Sequence, residues 1–381
     1  MYRKNRLTNW YTTGLFILSL VFLASCSKNE TKTSNRQNFP DWALGPFTKE
    51  NNLNPIMGPI DSVTFMDPIL KKPVRWEAKD VFNPAAVVRN DTIYLLYRAE
   101  DLIGKYKGTS RVGLAWSTDG THFTRDDHPV LYPADDDMKT YEWEGGTEDP
   151  RIVQDEQGTY YLTYTAYDGK TARLCEATSK DLRHWTKQGP VFAKADNGKY
   201  LNLWSKSGAI VTKRDGDHMI ATKINGKYWM YWGDTNIYLA TSDNLIDWTP
   251  VQDSNGNLMP AIRPRKGKFD SQLVESGPPA MITKNGILLI YNSSNAADSG
   301  DTALPAGTYS AGQALFSAND PGKLKERLSH YFFTPERRFE KQGQVDNVTF
   351  LEGLVPYKGT WYLYYGAADS TICVATYKPG E

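Results

Sequence analysis

The sequence predicts an all-β fold, a five-bladed β-propeller whose last blade is closed by an N-terminal strand. One phrase, a strand followed by a polar turn and an aromatic residue, occurs in LAWSTDGTHF (114–123), EATSKDLRHW (176–185) and LATSDNLIDW (239–248). Each copy follows the second arm of a hairpin, and two further hairpins, GILLIYNSSN and TWYLYYGAADS, precede similar strands. Units of roughly 55–75 residues with about four strands each are typical of propeller blades, not of a sandwich or an eight-stranded barrel. The last unit shows only three strands, and SVTFMDPILKKPV (62–74) is expected to supply the fourth.

The N-terminus predicts a segment that precedes the fold. The basic MYRKNR and the short apolar run GLFILSLVFLAS lead into LASC, which resembles a bacterial lipobox. Residues 1–25 are therefore expected to be a lipoprotein signal peptide, with Cys26 lipidated at the outer membrane, facing the surface or the periplasm. Residues 26–45 would form a flexible tether and residues 46–381 the propeller. An uncleaved anchor helix is the alternative, although the apolar run is shorter than the roughly 20 residues that span a bilayer.

Charge and cysteine content restrict the classes of partner. Loss of Arg3, Lys4 and Arg6 with the signal peptide would leave 41 basic against 44 acidic residues, a net charge of −3. This balance argues against nucleic acid as a partner. No CxxC or HExxH spacing indicates a metal site, and no cofactor is predicted. Cys175 and Cys373 are expected to be buried thiols, with one disulfide as the alternative.

The order of the strands predicts where polar residues meet. In a propeller, the start of each inner strand and the loop between the second and third strands lie at the same end of the axis. The inner strands begin with polar residues in all five units, namely Asn83, the group Glu148, Asp149 and Arg151, then Lys206, Glu275 and Glu352. The matching loops carry Arg98 and Glu100, Asp168, Asp234, Asn292 and Asp369. Acids and bases from all five units are thus expected to line one pocket.

The motifs resemble one known family. FNPAAV, YLLYRAED, SRVGLAWSTDG, GGTEDPRI, VESGPPAMI and LVPYKGTWYLYYGAADS occur in the order found in glycoside hydrolase family 130, and the similarity runs from about Pro59 to Tyr377. That family contains β-mannoside phosphorylases and β-1,2-mannosidases on a five-bladed propeller. The resemblance therefore implies an enzyme that cleaves β-mannosides.

The resemblance also implies roles for single residues. Asp149, in the EDPR motif, would be the proton donor, acting through the 3-hydroxyl of the mannosyl unit. Glu275 is expected to be the catalytic base, with Asp234 as the alternative. Substrate-binding roles are expected for Asn83, Arg98, Arg111, Glu148, Arg151, Lys206, Asn292, Glu352 and Asp369. For Arg111, a structural ion pair is an equal alternative.

Hydrolysis is expected rather than phosphorolysis. A phosphorolytic site needs several cations for a phosphate dianion, whereas an inverting hydrolytic site needs a carboxylate base with room for one water. Asn292 stands where the resemblance would give a phosphorylase a histidine, and Asp234 stands near its histidine–arginine pair. Lys170, Lys187 and Lys206 keep the phosphorylase alternative open.

The sequence thus predicts an inverting exo-β-mannosidase that hydrolyses β-1,2-linked, or related β-linked, mannosides of host or fungal glycans. Its expected partners are a mannose-containing oligosaccharide or glycan and, through the lipid anchor, the outer membrane. Two alternatives remain: a β-mannoside phosphorylase that uses inorganic phosphate, and a non-catalytic surface lipoprotein that binds glycans. A pure binder has no need of opposed acids, which favours an enzyme.

Overall fold

The computed structural model describes residues 39–380, which form a nearly all-β body. The predicted signal peptide, Cys26 and most of the predicted tether lie outside the described residues. Trp42 and Leu44 already pack against the body, and the Leu44 backbone exchanges two hydrogen bonds with the Gln313 side chain, at 2.9 and 2.8 Å. The packed part of the chain therefore begins before residue 46. No helix among the described residues is long and apolar enough to cross a membrane.

Three short strands precede the repeated units, namely β1 (Thr48–Lys49), β2 (Phe65–Asp67) and β3 (Lys72–Val74). β1 pairs with the last strand of the chain, with Thr48 opposite Thr376, so an N-terminal strand does complete the last unit. The prediction that segment 62–74 supplies this strand was wrong, because β2 and β3 pair with each other as a hairpin. Asp67 accepts hydrogen bonds from two backbone N–H groups of the hairpin turn, which holds the segment in this local pairing.

The first two units are regular four-stranded antiparallel sheets. Unit 1 contains β4 (Asp80–Arg89), β5 (Thr92–Glu100), β6 (Ser110–Ser117) and β7 (Thr124–Arg125). Unit 2 contains β8 (Gly146–Gln154), β9 (Tyr160–Tyr167), β10 (Ala172–Ser179) and β11 (Thr186–Pro190). β4 and β8 are buried along nearly their whole length, as expected for strands covered on both faces.

Units 3 and 4 have the same antiparallel order with interrupted arms, two in unit 3 and one in unit 4. Unit 3 contains β12 (Ala209–Asp215), β13 (His218–Ala221), β14 (Tyr228–Trp232), β15 (Ile237–Ser242), β16 (Trp248–Pro250) and β17 (Pro260–Ile262). Unit 4 contains β18 (Leu273–Ser276), β19 (Ala280–Thr283), β20 (Gly286–Ser294), β21 (Tyr309–Ser317) and β22 (Asp320–Arg327). β18 and β19 both pair with β20, and Pro278 and Pro279 separate them because proline lacks the N–H that the ladder requires.

Unit 5 contains β23 (Thr349–Tyr357), β24 (Thr360–Ala367), β25 (Thr371–Tyr377) and, as its outer strand, β1. The helical segments in the connections are short, namely α1 (Lys139–Glu142), α2 (Arg338–Lys341) and one 3₁₀ turn (Ala195–Gly198). Cys175 and Cys373 are buried and free, so the prediction of two buried thiols is confirmed.

Five apolar clusters fill the body, and each is built mainly from two neighbouring units. The cluster of units 1 and 2, for example, includes both Leu96 and Leu162. The series closes on itself, because the cluster that contains Tyr97 of unit 1 also contains Val355 of unit 5. Burial of apolar faces between units therefore stabilises the fold, and the starts of the inner strands are left free for polar side chains.

Candidate active site

β-Bulges near the start of three inner strands direct polar side chains out of the regular ladder. The pairing register shifts at Asn83 in β4, at Asp149 in β8 and at Glu352 in β23. Asn83 and Asp149 have φ angles of 46° and 47°, and a proline follows each of them. A bulge leaves one residue unpaired and re-aims its side chain. The Asn-Pro, Asp-Pro and Glu-Gly steps of the sequence thus place these three side chains.

Arg98, near the end of β5, connects unit 1 to unit 2. Its guanidinium donates to Asp149 Oδ1 at 3.1 Å, to Glu148 Oε1 at 3.2 Å and to Glu100 Oε1 at 2.7 Å. Asn83 Nδ2 donates to the same oxygen of Asp149 at 3.0 Å. One arginine therefore holds three buried carboxylates together.

Asp149 is ionised in the free protein although it is only 4% exposed. Burial alone would raise the pKa of its carboxyl, but the charges of Arg98 and Lys206 and the hydrogen bond from Asn83 outweigh burial and hold the pKa well below its ordinary value. Lys206 Nζ lies 3.6 Å from Asp149 Oδ2. At the neighbouring Glu148, burial outweighs the charge of Arg98 and raises the pKa. Two adjacent acids thus have pKa values that are shifted in opposite directions.

Glu275, in β18, is a second buried acid whose charge interacts with Lys206. Ser207 Oγ donates a hydrogen bond to Glu275 Oε1. Burial raises the pKa of Glu275, the charges of Lys206 and Arg151 oppose this rise, and the charge of Asp234 adds to it. Burial alone would lower the pKa of Lys206. The charges of Asp149, Glu275 and Glu148 raise it by a larger amount, so Lys206 remains a cation.

Arg151 joins units 2, 4 and 5. Its guanidinium donates to the backbone oxygens of Gly277, Ser276 and Asp149, at 2.8, 2.7 and 3.2 Å. Arg151 Nη2 also lies 3.0 Å from Glu352 Oε1, but neither oxygen of Glu352 has an aligned hydrogen-bond partner. Burial raises the pKa of Glu352 well above its ordinary value, although Arg151 opposes this. Arg151 therefore fixes backbone groups and leaves Glu352 with unused hydrogen-bonding capacity.

Asp369, in the turn after β24, is an acid of unit 5 that interacts with Arg98 and Asp149. Burial raises the pKa of Asp369 to about 7; Arg98 opposes the rise and Asp149 adds to it. Gly366 allows Asn83 to approach this unit, because a Cβ at Gly366 would lie 2.1 Å from Asn83 Oδ1. We refer to the assembled residues as the central cluster, namely Asn83, Arg98, Glu100, Glu148, Asp149, Arg151, Lys206, Glu275, Glu352 and Asp369.

Aromatic residues lie beside the central cluster. The rings of Tyr167 and Trp204 have centroids 6.5 Å apart, Trp204 is 49% exposed, and its Nε1 donates to Asp234 Oδ2 at 2.8 Å. Burial raises the pKa of Tyr309 to about 12, and the charge of Glu275 adds to this shift. Sequence reasoning missed Tyr309, because it begins the third strand of unit 4, whereas the candidates were taken from inner-strand starts and from the loops after the second strands. The predicted alternative base, Asp234, is half-buried at this edge.

Arg111 was predicted to bind sugar, and the structure places it elsewhere. Its guanidinium is fully buried and donates to Asp101 Oδ2 and Asp67 Oδ2, both at 2.7 Å. In the ladder of β5 and β6, Arg111 lies opposite Ala99, the neighbour of Arg98. Because successive residues of a strand point to opposite faces, Arg111 and Arg98 lie on different faces of the same sheet. The alternative of a structural ion pair describes Arg111.

Asn292 was also predicted to bind substrate, but its amide is already in use. It exchanges hydrogen bonds with the backbone of Leu351, at 3.0 and 2.8 Å, and so joins unit 4 to unit 5. Of the three lysines that kept phosphorolysis open, Lys187 pairs with acids of other loops and Lys170 is exposed. Lys206 alone of the three reaches the central cluster.

One group of potential metal ligands occurs between residues 39 and 380. Carboxylate and imidazole atoms of Asp126, Asp127 and His128 lie within 4.8 Å of one another. These residues follow β7 and are mostly exposed, so they are separate from the central cluster.

Comparison with known proteins identifies the family. The family model of glycoside hydrolase family 130, described as β-1,4-mannooligosaccharide phosphorylase, matches residues 48–381. The chain belongs to glycoside hydrolase family 130. The resemblance that the motifs indicated is thereby confirmed.

Relatives of this family-130 chain carry different descriptions. It is 34% identical over 309 residues to 1,2-β-oligomannan phosphorylase of Thermoanaerobacter sp. (strain X514), covering 79% of this chain and 90% of the relative. It is 49% identical to a glycosyl hydrolase from Bacteroides ovatus, with a TM-score of 0.88 over 90% of this chain and 96% of that one. A third structure is 48% identical, with a TM-score of 0.88 and coverage of 90% and 96%; its description concerns family members that are glycoside hydrolases targeting β-1,2 mannosidic linkages in Candida mannan.

Proposed function

We propose that this family-130 protein is an inverting exo-β-mannosidase that hydrolyses β-1,2-linked mannosides. Its central cluster combines a buried ionised acid, Asp149, with a second buried acid, Glu275, on a different unit. Inverting glycoside hydrolysis uses a pair of carboxyl groups, one as general acid and one as general base. The likeness at 48% identity to a structure described in connection with β-1,2-specific hydrolases supports the linkage.

In the proposed reaction, Asp149 is the proton donor and Glu275 is the base. Glu275 takes a proton from water as the water oxygen bonds to the anomeric carbon, and the bond to the leaving oxygen breaks. Asp149 supplies the proton to the leaving oxygen through a sugar hydroxyl. Because free Asp149 is ionised, it must first take up a proton as the substrate enters and weakens its interaction with Lys206. Asp234 is the alternative base.

The charge of the central cluster is the observation that carries the choice of hydrolysis. Its carboxyl groups, Glu100, Glu148, Asp149, Glu275, Glu352 and Asp369, outnumber its cations, Arg98, Arg151 and Lys206. The donors of Arg98 are shared among three carboxylates, and those of Arg151 point to backbone oxygens. A phosphate dianion would be repelled by Asp149 and Glu100, whose lowered pKa values keep them ionised, whereas a water molecule would not.

Phosphorolysis is the second candidate, and Lys206 is the observation in its favour. This lysine is a cation whose side chain is 20% exposed, so a phosphate that enters the central cluster can reach it. Lys206→Ala separates the two candidates. A phosphorylase would lose at least tenfold in its apparent affinity for phosphate, whereas a hydrolase would show no phosphate response before or after the change.

The deciding experiment follows the products by proton NMR. The protein from residue 27 onward is incubated with β-1,2-mannobiose, with and without inorganic phosphate. We expect free α-mannose as the first product, at a rate that phosphate does not change. Mannose 1-phosphate formed only with phosphate would establish a phosphorylase, and binding without any product would establish a glycan-binding protein.

For the fold, the proposal is a five-bladed β-propeller with the central cluster at one end of its axis. Five consecutive antiparallel units and five apolar clusters, which return from unit 5 to unit 1, support this arrangement. A sandwich would instead bury one core between two sheets.

For the location, the proposal is an outer-membrane lipoprotein anchored through Cys26. The lipobox-like LASC sequence supports it. Metabolic labelling with a palmitate analogue tests it: the label should enter the native chain and be absent from Cys26→Ser. Equal labelling of both chains would exclude the anchor.

A further inference from the structure

A polar cavity lies at the opposite end of the strands that carry the central cluster. It measures about 400 Å³, and its lining includes Arg89, Asp91, Gln154, Lys180, Asp217 and His218. Arg89 ends β4 and Gln154 ends β8, whereas Asn83 and Asp149 lie near the starts of the same strands. At about 3.3 Å per residue, five or six residues separate the two places by roughly 17–20 Å. The cavity is therefore distinct from the site of the proposed reaction.

The lining of this cavity determines the chemistry of a ligand. Its volume is within the range of roughly 300–1,000 Å³ that small-molecule sites occupy, but such sites are usually lined by apolar side chains. Here Val88 is the one aliphatic residue in the lining. The lining contains two cations, Arg89 and Lys180, and two carboxylates, Asp91 and Asp217, so neither an anion nor a cation is favoured strongly. This combination suits a neutral ligand that is covered with hydroxyl groups.

Two buried atoms in the wall lack partners. Gln154 Oε1 and His218 Nδ1 have no hydrogen-bond partner among the described residues. Both residues also line an adjoining cavity of about 330 Å³, which includes Lys213 and Asp215. Because buried polar groups are normally hydrogen-bonded, these two atoms indicate that the wall accommodates polar groups from outside the chain. The two adjoining cavities provide space for two linked rings.

We propose that the two cavities form a second saccharide-binding site, which holds a neutral mono- or disaccharide through hydrogen bonds. Guanidinium, carboxylate, amide and imidazole groups from three units converge there, and each can bind neighbouring hydroxyls of a sugar ring. Since this site lies at the other end of the strands, a saccharide bound there does not occupy the central cluster. It would hold the protein on a glycan while the central cluster acts on another chain end.

Histidine NMR provides a direct test. The chain has five histidines, and His218 alone of them lines the 400 Å³ cavity. Asp149→Asn protein, labelled in its imidazoles, is titrated with β-1,2-mannobiose, and the His218 signal is assigned by its loss in His218→Gln. We expect this signal to shift saturably with mannobiose. Arg89→Ala and Lys180→Ala should each weaken the response at least tenfold, and Lys266→Ala, which removes an exposed charge elsewhere, should not.

Each contrary result identifies a different error. A His218 signal that does not move with mannobiose overturns the proposed site. A shift caused by inorganic phosphate and not by mannobiose overturns the saccharide class and indicates an anion site. Unchanged binding in both Arg89→Ala and Lys180→Ala places the saccharide elsewhere. Failure of the proposed hydrolysis would appear separately, as mannobiose that stays intact with the native protein.

Discussion

Two arginines on one hairpin, the partly buried Arg98 on β5 and the fully buried Arg111 on β6, have similar partners and different surroundings. Arg98 contacts carboxylates of its own unit and the next one, and its side chain is 16% exposed. Arg111 contacts Asp67 and Asp101, and its side chain is fully buried. The difference shows that a buried arginine with two acids is not by itself a sign of function. What distinguishes Arg98 is that solvent reaches its side chain and that it lies on the face of the strand that carries the central cluster.

The acids around the two arginines differ in the same way. Each carboxylate oxygen of Asp67 and Asp101 accepts a hydrogen bond from Arg111 or from nearby backbone N–H groups. In the central cluster, Asn83 Oδ1 and both oxygens of Glu352 have no hydrogen-bond partner, although Arg151 forms an ion pair with Glu352. Substrate hydroxyls can meet unused acceptors in the central cluster, whereas every carboxylate oxygen beside Arg111 is occupied and the unpaired group there is a donor, Arg111 Nε.

Asp149→Asn should give the largest effect and separates the two networks most clearly. Loss of the proposed proton donor should lower kcat by about 10³-fold, within the range of roughly 10²–10⁴ for general acid catalysis. The urea midpoint should change less than in Asp67→Asn, because Arg98 keeps Glu100 and Glu148 as partners when the Asp149 carboxylate is lost. Turnover of mannobiose and urea unfolding measure the two quantities.

Asp67→Asn is the matched change in the other network. It should lower the free energy of unfolding and leave the turnover of folded molecules within twofold. Asp61→Asn, at an exposed position, controls for the loss of one charge. For the first change, full turnover in Asp149→Asn would show that Asp149 is not the proton donor.

Arg111→Leu should give the next largest effect, on stability alone. Removing one partner of a buried ion pair costs about 3–5 kcal/mol, because the carboxylates of Asp67 and Asp101 are left buried without their cation. Urea unfolding should show this loss, and kcat per folded molecule should stay unchanged. In Arg98→Leu the loss should instead be mainly in kcat, with a smaller loss of stability. A loss of kcat in Arg111→Leu at full stability would restore its predicted role in sugar binding.

The repeats of the sequence predicted much of this arrangement. The order of strands placed Asn83, Asp149, Lys206 and Glu275 near one another, and the structure assembles them. This succeeded because strand order fixes which ends of strands meet. A signal for the bulges was also present, since Asn-Pro and Asp-Pro steps inside a strand disturb its ladder.

Other features depended on pairing that a sequence does not contain. The face on which Arg111 lies follows from its register against Ala99, and the amide of Asn292 is occupied by the backbone of another unit. β1 displaced segment 62–74 from the outer edge of unit 5 for a similar reason: the segment paired with itself over a short turn. Tyr309 was missed because its approach to Glu275 depends on how unit 4 packs.

Glu142→Gln extends the comparison to an acid outside the central cluster. Burial raises the pKa of Glu142 to about 7, although Lys187 opposes this. The folded protein therefore binds more protons than the unfolded chain between about pH 4.5 and 7, so its stability falls as pH rises through this window. Glu142 should contribute about 3 kcal/mol to this fall, from roughly 1.4 kcal/mol per pKa unit, and Glu142→Gln should remove that contribution.

Urea unfolding from pH 4.5 to 8 measures this slope. The turnover rate of mannobiose at any one pH should be the same in Glu142→Gln and in the native protein. Glu142 contacts Tyr164 and Lys187 and no residue of the central cluster. Parallel stability curves for the two proteins would contradict the raised pKa of Glu142.

Asp369→Asn should give the smallest effect and tests the comparison most finely, because Asp369 and Glu142 share a pKa of about 7. Ionised Asp369 adds a negative charge near Asp149, and this makes Asp149 easier to protonate as the donor. The native protein should therefore exceed Asp369→Asn in kcat/KM above pH 7 by a factor of roughly three, equivalent to half a pKa unit, and match it below pH 6. Profiles of log kcat/KM from pH 5 to 9 measure this ratio. A ratio that stays constant with pH would show that the ionisation of Asp369, like that of Glu142, does not affect kcat/KM.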